Sequence, residues 1–262
     1  MAKITFIGTG GGRFATIFQK RATGGIYIAD KGLLMHVDPG PGALVKMYEL
    51  GLDPTQTDVI FISHAHPDHY TDAEILIEAL TLGGKNKRGM LIGSESVIAG
   101  INDYRPISFY HKKIIKEVKL VKPGDKFLLK DWYEINITPA LHSDATTVGF
   151  KLKLDSGIIS YTSDSQLFDE LIEAHKGARL LIVCLTRPLN GKIPFHMSTE
   201  EAAELIKKVN PELAILTHMG LKVLSNATQQ ANWINQQTGV PTIAAFDGMR
   251  VYMEDKIEIK KD

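Results

Sequence analysis

The chain has a single cysteine, Cys184, so neither an internal disulfide nor a tetracysteine structural zinc site can form. Its neighbours Leu180-Leu181-Ile182-Val183-Cys184-Leu185 read as a buried strand, which makes the thiol a core group rather than a reactive one. No apolar run approaches the roughly 20 residues of a membrane span. The opening Met1-Ala2-Lys3-Ile4-Thr5-Phe6-Ile7-Gly8 is too short in its apolar stretch for a signal peptide. A soluble, cytoplasmic protein without a membrane partner is the expectation. An excess of either charge is also missing, since 30 Lys and Arg balance 30 Asp and Glu. No global field gathers nucleic acid or an anionic membrane, so polyanion binding must come from local patches. Linkers, low-complexity segments and short repeats are absent too. The 262 residues, 44% of them hydrophobic, suit one large α/β domain spanning 1–262.

Strand-like and helix-like stretches alternate throughout. Lys3 to Ile7 reads as a strand before the glycine-rich Gly8-Thr9-Gly10-Gly11-Gly12. Ile26 to Ala29 and Leu33 to Val37 form an expected hairpin, and Ala43 to Leu50 an expected helix stopped by Gly51. Thr71-Asp72-Ala73-Glu74 has the pattern of a capping box opening a helix to about Leu82. A second series follows, with antiparallel strands at 127–129, 133–137, 148–154 and 157–162. A helix opening at 163–166 and closing at Gly177 comes next, then a strand at 180–185. Ser198-Thr199-Glu200-Glu201 is a second capping box, for a helix to about Val209. A strand at 213–216, a helix at 226–237 and strands at 243–246 and 251–253 complete the pattern. Two halves, each beginning with strands and passing to strand–helix alternation, predict a four-layer αββα sandwich of two mixed β-sheets.

Within this pattern His64-Ala65-His66-Pro67-Asp68-His69 stands out. Three imidazoles and a carboxylate in six residues repel one another if protonated, and make sense around one or two divalent ions. The strand-like Asp58 to Ser63 precedes them, so the cluster is expected on a loop at the C-terminal end of a core strand, where sites on α/β folds lie. Alternate residues His64 and His66 can point together at one ion, with Asp68 and His69 turned to a second. Three further donors follow strand-like segments: His142, Asp164 and His218. They complete two sets, His64, His66 and His142 for one metal and Asp68, His69 and His218 for the other. The two oxygens of Asp164 suit a bridging role.

With these residues placed, the chain resembles the metallo-β-lactamase superfamily over nearly its whole length. Its His-x-His-x-Asp-His signature is His64 to His69, and the later motifs match His142, Tyr161-Thr162-Ser163-Asp164 and Leu216-Thr217-His218. The resemblance implies the αββα fold and a dinuclear metal hydrolase. The ions are expected to be zinc, with manganese or iron as alternatives, and Asp68 is counted among the catalytic groups as well as the ligands. His66 and the chain length argue against the di-iron oxygen-reducing branch, and Asp164 against the classical β-lactamases. Glyoxalase II-like thioesterases, and lactonases of the same fold, share the ligands and stay as the alternative.

His196, two residues before Ser198 and 22 residues before His218, looks like the extra histidine of the ribonuclease Z and cyclic phosphodiesterase branches. There it contacts the scissile phosphate and helps the leaving oxygen depart. The helix start beside it would favour an anionic group, although a local hydrogen bond also accounts for a histidine there. Two metals about 3.5–4 Å apart would bind a bridging hydroxide that attacks phosphorus in line. His142 and Asp164 are only 22 residues apart, which leaves no room for the tRNA-gripping arm of ribonuclease Z. The single cysteine departs from the cyclic phosphodiesterases, which commonly carry a cysteine-bound structural zinc. The expected substrate is thus a small nucleotide-like or cyclic phosphate ester, with RNA still open and a dimer plausible. Asp38 resembles the family carboxylate that orients a ligand histidine, or is a turn residue before Pro39. Arg13, with Lys20 and Arg21, either meets a substrate phosphate or is solvated surface charge. The clusters Lys85-Asn86-Lys87-Arg88 and His111-Lys112-Lys113 read as solvated loops.

Overall fold

The computed structural model describes residues 1–260, which fold as two compact units. The first comprises Met1–Thr9, Arg21–Val121 and the C-terminal stretch from Asp247. Its sheet contains β1 (Ala2–Phe6), β2 (Ile26–Asp30), β3 (Leu33–Val37), β4 (Val59–Ile62), β5 (Met90–Gly93), β6 (Glu117–Leu120), β14 (Arg250–Met253) and β15 (Ile257–Lys260). The strand order is β15-β14-β1-β2-β3-β4-β5-β6, antiparallel as far as β3 and parallel from β3 to β6. Helices α2 (Ala43–Glu49), α3 (Pro67–Tyr70), α4 (Ala73–Thr81), α5 (Glu95–Ile98) and α6 (Phe109–Ile114) belong to this unit. Met47, Leu76, Ile77 and Leu80 from α2 and α4 pack against Ile60, Ile62 and Leu91. Each such side chain contributes about 1.5–3 kcal/mol by leaving water. Phe61 and Ile92, which point to the other face, are buried as well. That explains the unbroken apolar run of β4: a parallel strand covered on both faces has no polar side.

The second unit comprises Gly10–Lys20 and Lys122–Phe246. It holds α1 (Gly12–Phe18), β7 (Lys126–Leu129), β8 (Tyr133–Pro139), β9 (Val148–Leu154), β10 (Gly157–Tyr161), β11 (Leu180–Cys184), β12 (Leu213–Thr217) and β13 (Thr242–Ala244). The order is β13-β12-β11-β10-β9-β8-β7, antiparallel from β7 to β10 and parallel from β10 to β13. Helices α7 (Asp169–His175), α8 (Thr199–Val209), α9 (Leu221–Leu224) and α10 (Ala227–Thr238) complete it. Leu205, Ile206 and Ile234 from α8 and α10 pack with Leu181, Val183 and Leu216. The predicted fold class, α/β with two mixed sheets and their helices, is the one observed. Among the described residues no helix is long and apolar enough to cross a membrane.

Several expected elements differ. Thr71-Asp72-Ala73-Glu74 is not a capping box. Pro67 opens the short turn α3 directly after His66, a position where its missing N–H costs nothing. Thr71 ends that turn, its hydroxyl donating to the Pro67 carbonyl. The Asp72 carboxylate accepts from Gly42 and Leu44 N–H at the start of α2, and Glu74 accepts from Ser108 N–H. Asp68 and His69 therefore ride on a helical turn, not on a loop. The helix expected from Ser163 begins only at Asp169, because the intervening chain binds elsewhere: Ser165 Oγ accepts from Leu141 N–H and Gln166 N–H donates to Leu141 O. Helix α1 sits where glycines suggested only a loop, and β5, β6 and β15 were not foreseen. The capping box at Ser198 and Glu201 forms as expected.

Candidate metal centre

In the first unit the site grows from the ends of two neighbouring parallel strands. Asp38 follows β3 and Ser63 follows β4. Asp38 Oδ1 accepts from Ser63 N–H at 2.7 Å, and Oδ2 accepts from Ser63 Oγ at 2.8 Å and lies 2.9 Å from His69 Nδ1. Ser63 Oγ in turn lies 3.0 Å from His64 Nδ1. With Nδ1 engaged on both rings, Nε2 is the nitrogen left to face an ion, the usual division of labour in a ligand histidine. His64 and His69 are buried, and the ring of His64 lies 4.5 Å from His66 and 4.1 Å from His69, centroid to centroid. Asp68 Oδ2 is 4.0 Å from His69 Nε2. Gly40 lets the chain pass close, since a Cβ there would stand 2.1 Å from the Asp68 carbonyl oxygen.

In the second unit the donors again follow strands: His142 after β8, Asp164 after β10 and His218 after β12. His142 Nδ1 donates to the Phe195 carbonyl at 2.8 Å, and its Nε2 lies 3.8 Å from Asp164 Oδ2. His218 Nδ1 lies 3.0 Å from Asp164 Oδ1 and 3.4 Å from Thr186 Oγ1. His196 Nδ1 is 3.8 Å from Asp164 Oδ2, and its ring lies 5.0 Å from that of His142. One donor atom from each of His142, Asp164 and His196 falls within a 4.8 Å sphere of mutual distances, and so does one from each of Asp164, Cys184 and His218. Burial, opposed by Asp164 and aided by His142, His218 and Arg187, lowers the His196 pKa below its ordinary value. The imidazole thus stands among buried donors while a quarter of its side chain remains exposed.

This donor chemistry fits a divalent ion. Buried imidazoles fixed through one ring nitrogen, beside carboxylates, are the mixture that zinc, manganese and iron accept. Each unit by itself supplies three or more such donors.

Other expected residues have different surroundings. Arg13 is exposed on the first turn of α1, and Lys20 is exposed beyond it. Arg21 donates to Thr9 Oγ1 at 3.0 Å, and Thr9 binds Asp247, so Arg21 serves that local network. The α8 terminus beside His196 is less available to an anion than expected: the Ser198 hydroxyl already takes the Glu201 N–H, and Glu200 and Glu201 place negative charge in the first turn. Arg88 pairs with Asp58 at 3.0 Å, while His111 lies against Glu74 and Glu78 within α6 rather than on a loop.

Sequence reasoning missed four contributors. Ser63 links Asp38 to His64. Phe195 offers its carbonyl to His142. Gly11 is needed because a Cβ there would stand 2.2 Å from the His218 ring. Cys184 turns out to lie among donors. The glycine run was the one visible signal for Gly11, nothing in residue type marks Ser63 or Phe195, and Cys184 is a ligand type hidden by its core-like neighbours.

Comparison with known proteins identifies the family and the fold. The model of the beta-lactamase superfamily domain matches residues 35–219. An uncharacterised protein of Methanocaldococcus jannaschii is 45% identical over 95% of this chain and 94% of its own length. A protein called ribonuclease Z from Metallosphaera sedula is 30% identical over 95% of this chain and 100% of its own. The ribonuclease Z of Thermococcus onnurineus is 30% identical over 48% of this chain, and the match spans only 41% of that relative. Among solved structures, the metallo-beta-lactamase fold protein YhfI from Bacillus subtilis superposes with a TM-score of 0.79 at 22% identity, covering 95% of this chain and 98% of that one. A diphosphatase from the PhnP family gives 0.73 at 18% identity, covering 98% and 100%. These two likenesses show the fold.

Proposed function

The chain belongs to the metallo-β-lactamase superfamily of hydrolases, on its ribonuclease Z-like branch, and from that premise we propose that it is a two-metal phosphodiesterase. The proposed substrate is a nucleotide-like or cyclic phosphate ester, with RNA as a further possible source of the same bond. We assign His64, His66 and His142 to one divalent ion and Asp68, His69 and His218 to the other, with Asp164 between them. When bound, such ions supply Lewis acidity to water and to the phosphoryl oxygens.

The protein's own groups do the rest. Asp38 holds His69, Ser63 holds His64 and the Phe195 carbonyl holds His142, so three of the assigned ligand rings are oriented by the protein's own groups. His196 turns Nδ1 toward Asp164, which leaves Nε2 to carry a proton to the departing alkoxide.

One observation carries the phosphodiester reading: His196 lies within 4 Å of Asp164, is partly exposed, and supplies an acid beyond the seven residues assigned to the ions. The relatives called ribonuclease Z support the same choice. The interval from His142 to Asp164 is filled by β9 and β10, so small esters are favoured over tRNA.

The test is turnover of bis(p-nitrophenyl) phosphate by metal-loaded protein. Activity abolished in His64→Ala and reduced in His196→Ala is expected. Lactone or thioester cleavage without phosphodiester cleavage would move the protein to the alternative class, and full activity of His196→Ala on an alkyl phosphodiester, whose leaving group needs a proton, would remove the reason for preferring phosphoesters.

A further inference from the structure

We infer that Cys184 is a metal ligand in waiting at the Asp164–His218 pole of the centre, so that this pole takes a soft divalent ion through sulfur as well as nitrogen and oxygen. The inference rests on the two-ion reading above. Three parallel neighbours, β10, β11 and β12, end side by side, and each delivers one donor at or just past its C-terminal end: Asp164, Cys184 and His218. One atom from each lies within 4.8 Å of the other two, and all three residues are buried.

Alternation along β11 explains the placement. Leu181 and Val183 enter the helix-covered core, so Ile182 and Cys184 project from the opposite face. Cys184 N–H donates to Thr162 Oγ1 at 3.1 Å, which fixes the backbone, and Sγ lies 3.5 Å from Tyr161 Oη. The sulfur is therefore held on the site side of the sheet.

Donors around one tetrahedral zinc lie about 3.5 Å apart, given bonds of about 2.3 Å to sulfur and about 2.0 Å to nitrogen. The mutual distances are already within 4.8 Å, and His218 Nδ1 stands 3.0 Å from Asp164 Oδ1, so small side-chain adjustments reach that spacing. On ligation the thiol proton leaves for solvent and the sulfur binds as thiolate. A sulfur donor biases this pole toward zinc, cobalt or cadmium and away from manganese or magnesium. A hard pole would lack that bias, so the cysteine bears on metal choice rather than on the substrate.

Cys184 is the only cysteine of the chain, so any thiolate-to-metal signal has a single source. The experiment loads the full-length protein with Co²⁺, checks cobalt content by elemental analysis and by its visible d–d absorption, and records the near-ultraviolet spectrum. A sulfur-to-cobalt charge-transfer band is expected. It should disappear in Cys184→Ser while the bound cobalt stays. Cobalt bound in the unsubstituted protein with no such band overturns the inference, whether or not the variant folds. A band that survives in Cys184→Ser overturns it as well. Protein that takes up no cobalt fails the two-ion reading first and this inference with it, so the two failures are told apart by the metal content.

Discussion

The Phe195 carbonyl accepts the Nδ1 proton of His142 at 2.8 Å, and the next residue along the chain is His196. One backbone segment thus orients a candidate ligand and presents the candidate acid. Phe195 holds a left-handed conformation with φ of 66° to do so. Asp38, Ser163 and His218 are left-handed too, with φ of 50°, 57° and 50°. Each of the four is a candidate site residue or adjoins one. Such conformations cost about 1–3 kcal/mol each away from glycine and persist where surrounding contacts hold them.

Phe195→Gly should therefore keep metal binding, since glycine adopts this conformation freely and the carbonyl remains. Phe195→Val should weaken it, because a β-branched residue tolerates positive φ less well than Phe does. Isothermal titration with Zn²⁺ separates the two variants. Equal affinities in both would show that the backbone conformation at 195 does not matter to His142.

The role given to His196 makes a prediction about leaving groups. p-Nitrophenolate departs with little help, whereas an alkoxide needs a proton. Loss of a general acid typically costs about 10²–10⁴-fold. His196→Ala should thus cost far more kcat on an alkyl phosphodiester than on bis(p-nitrophenyl) phosphate, with metal content unchanged. A loss of the same size on both substrates would point to a binding role instead.

Asp38 supports the centre through His69 and through Ser63. Asp38→Ala removes both contacts at once. Changes to groups that orient ligand histidines typically cost about 10–100-fold in metal affinity. Dialysis against graded zinc concentrations, read by elemental analysis, should show a loss in that range while His64→Ala loses more. An unchanged affinity would reduce Asp38 to a turn residue before Pro39.

Much of this centre was legible in the sequence because strand ends and metal donors both leave marks. A four-residue apolar run before His64 and others before Asp164 and His218 place those residues at the ends of parallel strands, where sites on such sheets form. The hairpin of β2 and β3 and the capping box of α8 are local patterns with local causes. What stayed hidden depends on partners distant in sequence. Asp72 looks like part of a helix start, yet its carboxylate caps α2 about 30 residues earlier. Thr71 looks like a cap and instead closes the turn that Pro67 opens. Cys184 looks like core because its neighbours are core; alternation turns its side chain to the other face, and only the register of β11 with β12 brings it beside His218.

Apart from the donor set, His175 predicts how the fold responds to acid. It is fully buried in α7, with Nδ1 2.6 Å from Ser160 Oγ. Burial, reinforced by Lys151, pushes its pKa down to about 3. Below pH 6.5 the unfolded chain therefore binds a proton that the folded chain refuses until about pH 3. Stability is unaffected by this group above pH 6.5 and falls as pH drops through that window, by about 1.4 kcal/mol per pH unit. His36, lowered to about 4 by burial, adds to the same slope. His175→Gln keeps a polar partner for Ser160 and cannot titrate. Urea unfolding at pH 6.5 and pH 5 should show the unsubstituted protein losing about 2 kcal/mol more than this variant over that interval. Parallel stability curves for the two proteins would mean that His175 gains its proton in the folded state, and that burial does not hold it neutral.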